Sequence, residues 1–331
     1  MEIKTPYINV AALILFAGLA ASVHAQTGAG TALLFNGTSS YVDTTNGAIL
    51  GTNFTEEAWI YSTASDGVFH AIMGNDGGTG LIQQRCPSLY LYNTALHGGF
   101  GDGVNWDSWI TSNGVVQPNA WNHVAQTYDG STFHIYVNGN LVLASNIIGV
   151  PFSQPVRYIG RLANFFKGQI DEVRIWNVAH SQAQIQSNMN FSLVLPQTNL
   201  VAYFRFNEGS GTNTSDLALG RTGLLYATTW TNSTAPISIP ITATTMAASN
   251  ITSSTALLNG SVNPKGAPTT AWFEWGTTTA YGSSTATVNL GASNVALNIT
   301  LGLTGLTGIE LITTGWSRPI PPAGSMAATP P

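Results

Sequence analysis

Two turn dipeptides, Asp129-Gly130 and Asn138-Gly139, bracket the run Thr132–Val137 and leave it little choice but antiparallel β-structure. Gly, Asn and Asp tolerate the positive φ angles of tight hairpin turns. Between them Phe133, Ile135 and Val137 alternate with His134 and Tyr136, the period of a strand with one buried face. The runs Trp121–Gly130, Phe133–Val142 and Phe166–Asn177 therefore read as neighbouring antiparallel strands.

Composition agrees with a β protein. Only 8% of the residues are charged and 44% are hydrophobic, and Gly, Thr, Ser and Asn abound, as on sheets with neutral, hydroxyl-rich outer faces. A net charge of −5 and a pI near 5.6 leave no basic stripe to replace phosphate counterions, which argues against nucleic acid and likewise disfavours extended acidic partners. Cys86 is the sole cysteine, so an intrachain disulfide is ruled out; between Arg85 and Pro87 it reads as an inert, half-buried thiol. Lys4, the apolar run Val10–Ala21 and Val23-His24-Ala25 before Gln26 predict a signal peptide over residues 1–25. The run falls short of the roughly 20 apolar residues of a membrane-spanning helix. A secreted or cell-surface product with no membrane span after cleavage is expected.

In Trp121–Gly130, Phe133–Val142 and Phe166–Asn177, and again in Ala32–Val42, Phe54–Ile60 and Leu200–Thr212, the chain resembles the LamG-like jelly-roll family. These are the laminin-G and pentraxin relatives among the concanavalin A-like lectins and glucanases. The resemblance implies an all-β fold, a two-sheet antiparallel jelly-roll sandwich over residues 26–230, and a binding module more than an enzyme. Glu56 departs from the family, which usually has an apolar residue there. With Phe54, Ala58 and Ile60 facing the core, Glu56 shares their face and needs a partner or a sheet edge.

After Trp230 the polar, proline-punctuated stretch 231–240 reads as a linker. Thr255–Pro264 and Thr270–Thr277 then resemble the early strands of a fibronectin type III-like module of large secreted bacterial proteins, with Phe273 and Trp275 packing its core. Residues 241–309 are thus expected to form an incomplete small β-sandwich. Where such a module should continue into a Tyr-bearing strand, Glu310–Gly324 is broken by prolines. Re-read in a neighbouring frame, with codons chosen within the code's freedom, Leu311–Thr329 can give the missing Tyr-Tyr-Arg strand. Residues 310–331 accordingly read as an out-of-frame or unstructured tail.

Trp59, Trp121 and Trp176 occupy strand positions that the resembled family fills with large apolar residues, and are expected in the core. Trp106 and Trp109 lie in a Gly-rich stretch with Asp102, Asn105 and Asp107 beside them. Aromatic faces next to carboxylate and amide groups suit a sugar, whose C–H surface stacks while its hydroxyls take hydrogen bonds; ordinary packing is the competing reading. In the resembled superfamily an aspartate placed like Asp171 often holds a structural calcium ion with carbonyls of the first strand's turn, here Asn36 and Gly37. A salt bridge to Arg174 or Arg157, or a hydrogen-bonded turn, would satisfy Asp171 equally. Asn75 and Asp76 open a second oxygen-rich loop, resembling the calcium-binding rim loops of the laminin-G and pentraxin relatives or a plain Gly-rich turn.

Retaining glucanases need paired carboxylates on one strand face. The chain has no E-x-D-x-E run, and the consecutive pairs Glu56-Glu57 and Asp171-Glu172 are expected to point to opposite faces. His123 and His134 lack a third ligand at zinc spacing, and neither a G-x-S-x-G elbow nor a P-loop occurs. No catalytic residue is expected. The readings converge on a secreted, non-catalytic module that binds glycans or extracellular surface proteins through loops at one rim of the sandwich. The alternatives are a structural or adhesion spacer with no small ligand, and a fragment of a larger glycoside hydrolase.

Overall fold

Alternating runs like Phe133–Val137 recur along the chain, and they become short antiparallel strands in a computed structural model. It describes residues 7–13, 30–75, 81–252, 254–265, 269–276, 281, 283–291, 293, 295–306 and 310–312. The chain divides into two compact units, one of residues 28–238 and one of residues 1–27 with 239–331. β1 (Tyr7–Leu13) belongs to the latter.

The 28–238 unit begins with β2 (Thr31–Asn36), β3 (Tyr41–Ile49), β4 (Phe54–Ser62), β5 (Phe69–Gly74), β6 (Ser88–Tyr92), β7 (Ala95–Gly101) and β8 (Trp106–Ile110). It continues with β9 (Trp121–Tyr128), β10 (Thr132–Val137), β11 (Asn140–Asn146), β12 (Pro155–Ile159) and β13 (Lys167–Trp176). After helix α1 (Gln182–Asn188) come β14 (Leu200–Phe204), β15 (Asn213–Ser215), β16 (Thr222–Tyr226) and β17 (Thr229–Asn232). Sheet I has the order β11-β10-β9-β4-β13-β2-β17, with β14 also paired to β13; sheet II has the order β15-β16-β3-β12-β5-β6-β7-β8. This is the expected all-β, two-sheet sandwich.

At the turn between β10 and β11, Asn138 (φ 51°) and Gly139 (φ 73°) are both left-handed, as a two-residue hairpin turn requires. Between β9 and β10 only Gly130 is (φ 96°). Asp129 instead supplies its carboxylate, whose Oδ1 accepts the N–H groups of Ser131 and Thr132 at 2.8 and 2.7 Å. The expectation that the 166–177 run lies beside these strands needs correction, because β4 separates β13 from β9.

The core between the sheets is built from the alternate residues of each strand. Leu33, Phe35, Phe54, Ala58, Ile60, Val124, Phe133, Ile135, Ile170 and Val173 come from sheet I, and Val42, Ile72, Leu89, Leu91, Leu96, Phe100 and Ile159 from sheet II. Full burial of such side chains contributes roughly 1.5–3 kcal/mol each. Cys86 is completely buried in this core, not half-buried. Glu56 lies on the core face as its spacing requires, and its partner is Gln126 of β9.

Strand β13 is irregular where it runs beside β4. Asp171 pairs with Trp59 and Arg174 with Glu57, so three steps on β13 face two on β4. The extra residue forms a β-bulge at Glu172 (φ 49°). Asp171 and Glu172 therefore both project from the outer side of sheet I, contrary to the expected alternation. Residues 231–240 are not a free linker either. β17 pairs with β2, Ala235 and Ile237 cover Trp59, and Ser233 Oγ donates to Asp171 Oδ2 at 2.6 Å.

The other unit holds β18 (Thr242–Ser249), β19 (Thr255–Asn263) and β23 (Leu297–Thr304) as one three-stranded sheet. β20 (Thr269–Gly276) pairs with β21 (Ser283–Ser284), β22 (Val288–Gly291) and β1. Phe273 is buried with Leu258, Ile299 and Leu303, and Trp275 packs against them. Tyr7–Leu13, within the expected signal peptide, is here the antiparallel neighbour of β20. β24 (Glu310–Ile312), the start of the expected tail, runs parallel to β1. The remainder of both segments, residues 1–6, 14–25 and 313–331, lies outside the described residues.

Candidate functional site

Strand alternation decides what sheet II presents on its outer side. Val42, Leu89, Leu91, Leu96, Ile159 and Leu225 point into the sandwich, so Tyr41, Tyr90, Tyr92, His97, Tyr158 and Tyr226 point away from it. Register then lines these rings up across the strands. Tyr226 pairs with Tyr41, and the two rings stack at 4.5 Å with an interplanar angle of 6°. Tyr158 meets Tyr41 edge-on at 5.9 Å. Farther along, Phe69 pairs with Tyr92 and Tyr90 with His97, their centroids 4.7 and 5.7 Å apart. Trp106 ends the series on edge strand β8.

A row of small residues runs beside these rings. Tyr158 pairs with Gly74, Ser88 with Gly99 and Gly99 with Ser108. A Cβ at Gly74 would lie 2.4 Å from Ser88 Oγ and 3.2 Å from Leu162 Cδ1. The missing side chains give Leu162 and Trp106 room to close on Tyr90 and Ala71. Phe69 and Tyr226 remain 36% and 41% exposed, so the face offers aromatic surface to solvent.

Three arginines stand among these rings. Arg157 grips Asp43 with two hydrogen bonds, Nε to Oδ1 at 2.8 Å and Nη2 to Oδ2 at 2.7 Å, which hold the Asp43 carboxyl below its usual range. Arg161 lies over both Tyr41 and Tyr158, its guanidinium carbon 4.8 and 4.6 Å from the ring centroids. Arg85 lies 5.9 Å from the Trp106 ring centroid and donates to Tyr90 Oη at 3.3 Å. These tyrosines and arginines escape a linear reading because they are scattered from Tyr41 to Tyr226 and meet only through strand pairing. Only the alternation Ser88-Leu89-Tyr90-Leu91-Tyr92, with rings on one face and leucines on the other, carries a local signal.

The expected sugar-binding residues do not form one platform. Trp106 and Trp109 are three positions apart on one strand and so point to opposite sides. Trp106 joins the outer face, while Trp109 stacks on Phe133 at 4.6 Å against the core. Asp102 caps its own turn, Oδ1 accepting the N–H groups of Asn105 and Val104 at 2.6 and 2.7 Å, and these bonds lower its pKa. Asn105 is exposed. Asp107 pairs with Phe100, and burial followed by the Asp102 charge raises its pKa.

The expected calcium set is likewise dispersed. Asn36 pairs with Lys167, four positions along β13 from Asp171, about 13 Å at the rise of a strand. Asn36 Oδ1 is taken by the N–H groups of Thr38, Ser39 and Ser40, and Gly37 abuts the Lys167 side chain. Asp171 is wholly buried and accepts from the Glu172 N–H and from Ser233. Burial, then the neighbouring Glu172 charge, pushes its pKa well up. This set does not fit a calcium ion. Asn75 is buried and donates to the Pro155 carbonyl at 3.0 Å; Asp76 lies outside the described residues. Among the described residues no three His, Cys, Asp or Glu side chains converge as metal ligands.

The outer side of sheet I is covered around Trp59, Asp171 and Arg174, while Leu34 and Lys167 stay exposed. Trp59 Nε1 donates to the Met189 carbonyl at 2.6 Å and Arg174 Nη1 to that of Asn188 at 3.0 Å. Beneath this cover Arg174 pairs with Glu172 at 2.8 Å and Glu57 at 3.8 Å, Tyr203 donates to Glu172 at 2.6 Å, and Trp176 donates to Glu57 at 3.0 Å. Trp59 and Trp176 are buried as expected, but beneath this cover and not between the sheets. Trp121 is partly buried beside Trp59.

Two antiparallel sheets in these orders define a jelly-roll sandwich. Residues 36–186 match the family model of the concanavalin A-like lectin/glucanases superfamily. A protein from Bacteroides ovatus proposed to bind carbohydrate shares the fold with TM-score 0.52 and 24% identity, over 64% of this chain and 62% of that one. A heptameric SAP-like pentraxin from Limulus polyphemus aligns with TM-score 0.39 and 13% identity over 50% of this chain and 83% of its own. Mouse (Mus musculus) pappalysin-1 is 34% identical over 80 residues, 22% of this chain and only 5% of that protein. The chain thus spans a small part of its curated relative and about three-fifths of the Bacteroides protein.

Proposed function

We propose that residues 28–238 are a non-catalytic glycan-binding module whose binding surface is the outer face of sheet II, in place of the rim loops. The observation that carries this reading is the cross-strand series Tyr226, Tyr41, Tyr158, His97 and Trp106 on the outer face of sheet II, where Leu162 and Trp106 cover Tyr90 but Phe69 and Tyr226 stay open to solvent. Sugar rings offer apolar C–H faces to such rings and hydroxyls to neighbouring polar groups. The Bacteroides protein of like fold makes carbohydrate the first ligand class to test. The disposition of the acids supports a non-catalytic role. Glu56 is in the core, Glu57, Asp171 and Glu172 are buried under the cover of sheet I, and Asp43, the carboxylate among the rings, has both oxygens held by Arg157. Secretion after removal of residues 1–25 belongs to the same reading and rests on the apolar run Val10–Ala21 and the small residues Val23 and Ala25 before Gln26. Among the described residues no helix is long and apolar enough to cross a membrane.

The test is a glycan array probed with the full chain and with Tyr41→Ala and Trp106→Ala. Binding that both substitutions weaken at unchanged melting temperature supports the reading. Binding of no glycan would favour the spacer alternative.

A further inference from the structure

The arginines sort into two groups. Arg157, Arg174, Arg205 and Arg221 are each ion-paired, with Asp43, Glu172, Glu172 and Asp216 respectively. Among the described residues Arg85 and Arg161 have no carboxylate partner, and both belong to the outer face of sheet II. Arg161 is half-exposed, held over Tyr41 and Tyr158, and makes no side-chain hydrogen bond to a described residue. Arg85 spends one N–H on Tyr90, and its Nε is buried with no hydrogen-bond partner. The carboxylate nearest to Arg161 in effect, Asp43, feels its charge but is already committed to both arms of Arg157.

A guanidinium presents five N–H donors in a planar fork that matches a carboxylate or sulfate. A net charge of −5 disfavours extended acidic partners for the chain as a whole, but two guanidiniums without a carboxylate on one face keep donors open there for charge-assisted hydrogen bonds to a ligand anion. The stacking fixes them in place, so little further ordering is needed on binding. Leu162, next in sequence to Arg161, packs with Tyr90 and Trp106, the two rings that Arg85 touches. The two cations therefore flank one continuous patch.

We infer that the ligand of this face is an acidic glycan, its carboxylate or sulfate groups read by Arg161 and Arg85 while its sugar rings lie on the adjacent aromatic side chains. The inference rests on the glycan-binding reading above and adds the charge class of the ligand.

The experiment uses the full chain in affinity electrophoresis against polymer pairs that differ only in charge. Dextran is compared with dextran sulfate, and fully methyl-esterified with de-esterified polygalacturonate, so that sulfate and carboxylate are tested separately. The charged member of at least one pair should bind at least about tenfold more tightly, with affinity falling as salt rises. Arg161→Gln and Arg85→Gln should each lose about tenfold, and Arg161→Lys should keep part of the charge preference. Lys167→Gln, an exposed cation on sheet I, should change nothing. Equal binding of charged and neutral members, or full affinity in both Gln variants, overturns the inference while leaving glycan binding intact. Failure of every polymer and of the array to bind would remove the glycan reading itself. Melting curves of each variant separate loss of a contact from loss of the fold.

Discussion

Gln126 donates its side-chain amide to Glu56 inside the sandwich, across the paired strands β9 and β4. Among the described residues, Glu56 Oε1 and Gln126 Oε1 have no other partner. A protonated Glu56 satisfies both at once by donating its O–H to the Gln126 oxygen, closing a cyclic acid–amide pair. Burial, opposed by the Gln126 hydrogen bond, pushes the Glu56 pKa up from 4.5 to about 8.

Stability should carry the mark of that proton. The folded pKa is raised, so the contribution of Glu56 is fully present below about pH 4.5 and is lost as pH rises through about 8. Glu56→Gln, which keeps an amide–amide pair, should flatten this decline by an amount on the order of a few kcal/mol. Urea unfolding at intervals from pH 5 to 8.5 measures it. A parallel pH dependence in wild type and variant would mean that Glu56 is not protonated in the fold.

Glu57, one residue on and on the opposite face, should behave in the reverse sense. Burial works against its charge, but the His123 hydrogen bond and the charges of Arg174 and His123 hold its pKa at about 2. Its contribution is present above about pH 4.5 and is lost as pH falls through about 2. Glu57→Gln should abolish that acid sensitivity. At neutral pH it should also cost about 3 kcal/mol, as expected when a buried pair loses one partner. Unchanged acid unfolding would contradict the ion-pair role.

The two tryptophans of β8 should separate cleanly. Trp109→Ala removes the ring stacked on Phe133 and should lower stability by about 2–4 kcal/mol. Trp106→Ala should leave the cooperative melt in place and weaken glycan binding by roughly 1–3 kcal/mol. Equal destabilisation by both would show that Trp106 is part of the packing alone.

Calcium should not act through Asp171. Ser233 and the Glu172 N–H already occupy its carboxyl oxygens, so Asp171→Asn should leave the response of the melting temperature to calcium unchanged. Any rise with calcium should instead depend on Asp76, the remaining candidate from the oxygen-rich loop, and vanish in Asp76→Asn. A calcium increment lost in Asp171→Asn would restore the first assignment.

The strands were legible because their information is local. Phe133, Ile135 and Val137 announce one buried face, and Asn138-Gly139 announces the turn, without reference to the rest of the chain. Glu56 was visible as a misfit for the same reason. The bulge at Glu172 was not, since an extra residue is defined only against β4, more than a hundred residues earlier in the chain. Nor was the cover of sheet I, which depends on Met189 reaching Trp59 and Ser233 reaching Asp171. The ring-bearing face was missed on the same ground: Tyr41 and Tyr226 become neighbours only through strand pairing. A linear scan favours closely spaced tryptophans, and that spacing led to Trp109, a residue whose position on the strand turns it inward.

The bulge also sets the parity of β13. Without Glu172, Asp171 and Arg174 would be separated by an even number of steps and keep their faces in an unbroken ladder. The residue is therefore an insertion that the sheet tolerates, and its side chain is the one that binds Arg174, Arg205 and Tyr203. In a relative that lacks it, an alignment should open a one-residue gap in the middle of a strand, where gaps are normally refused. Arginine at the position of Arg174 should then disappear along with it, because its main counter-charge would be gone.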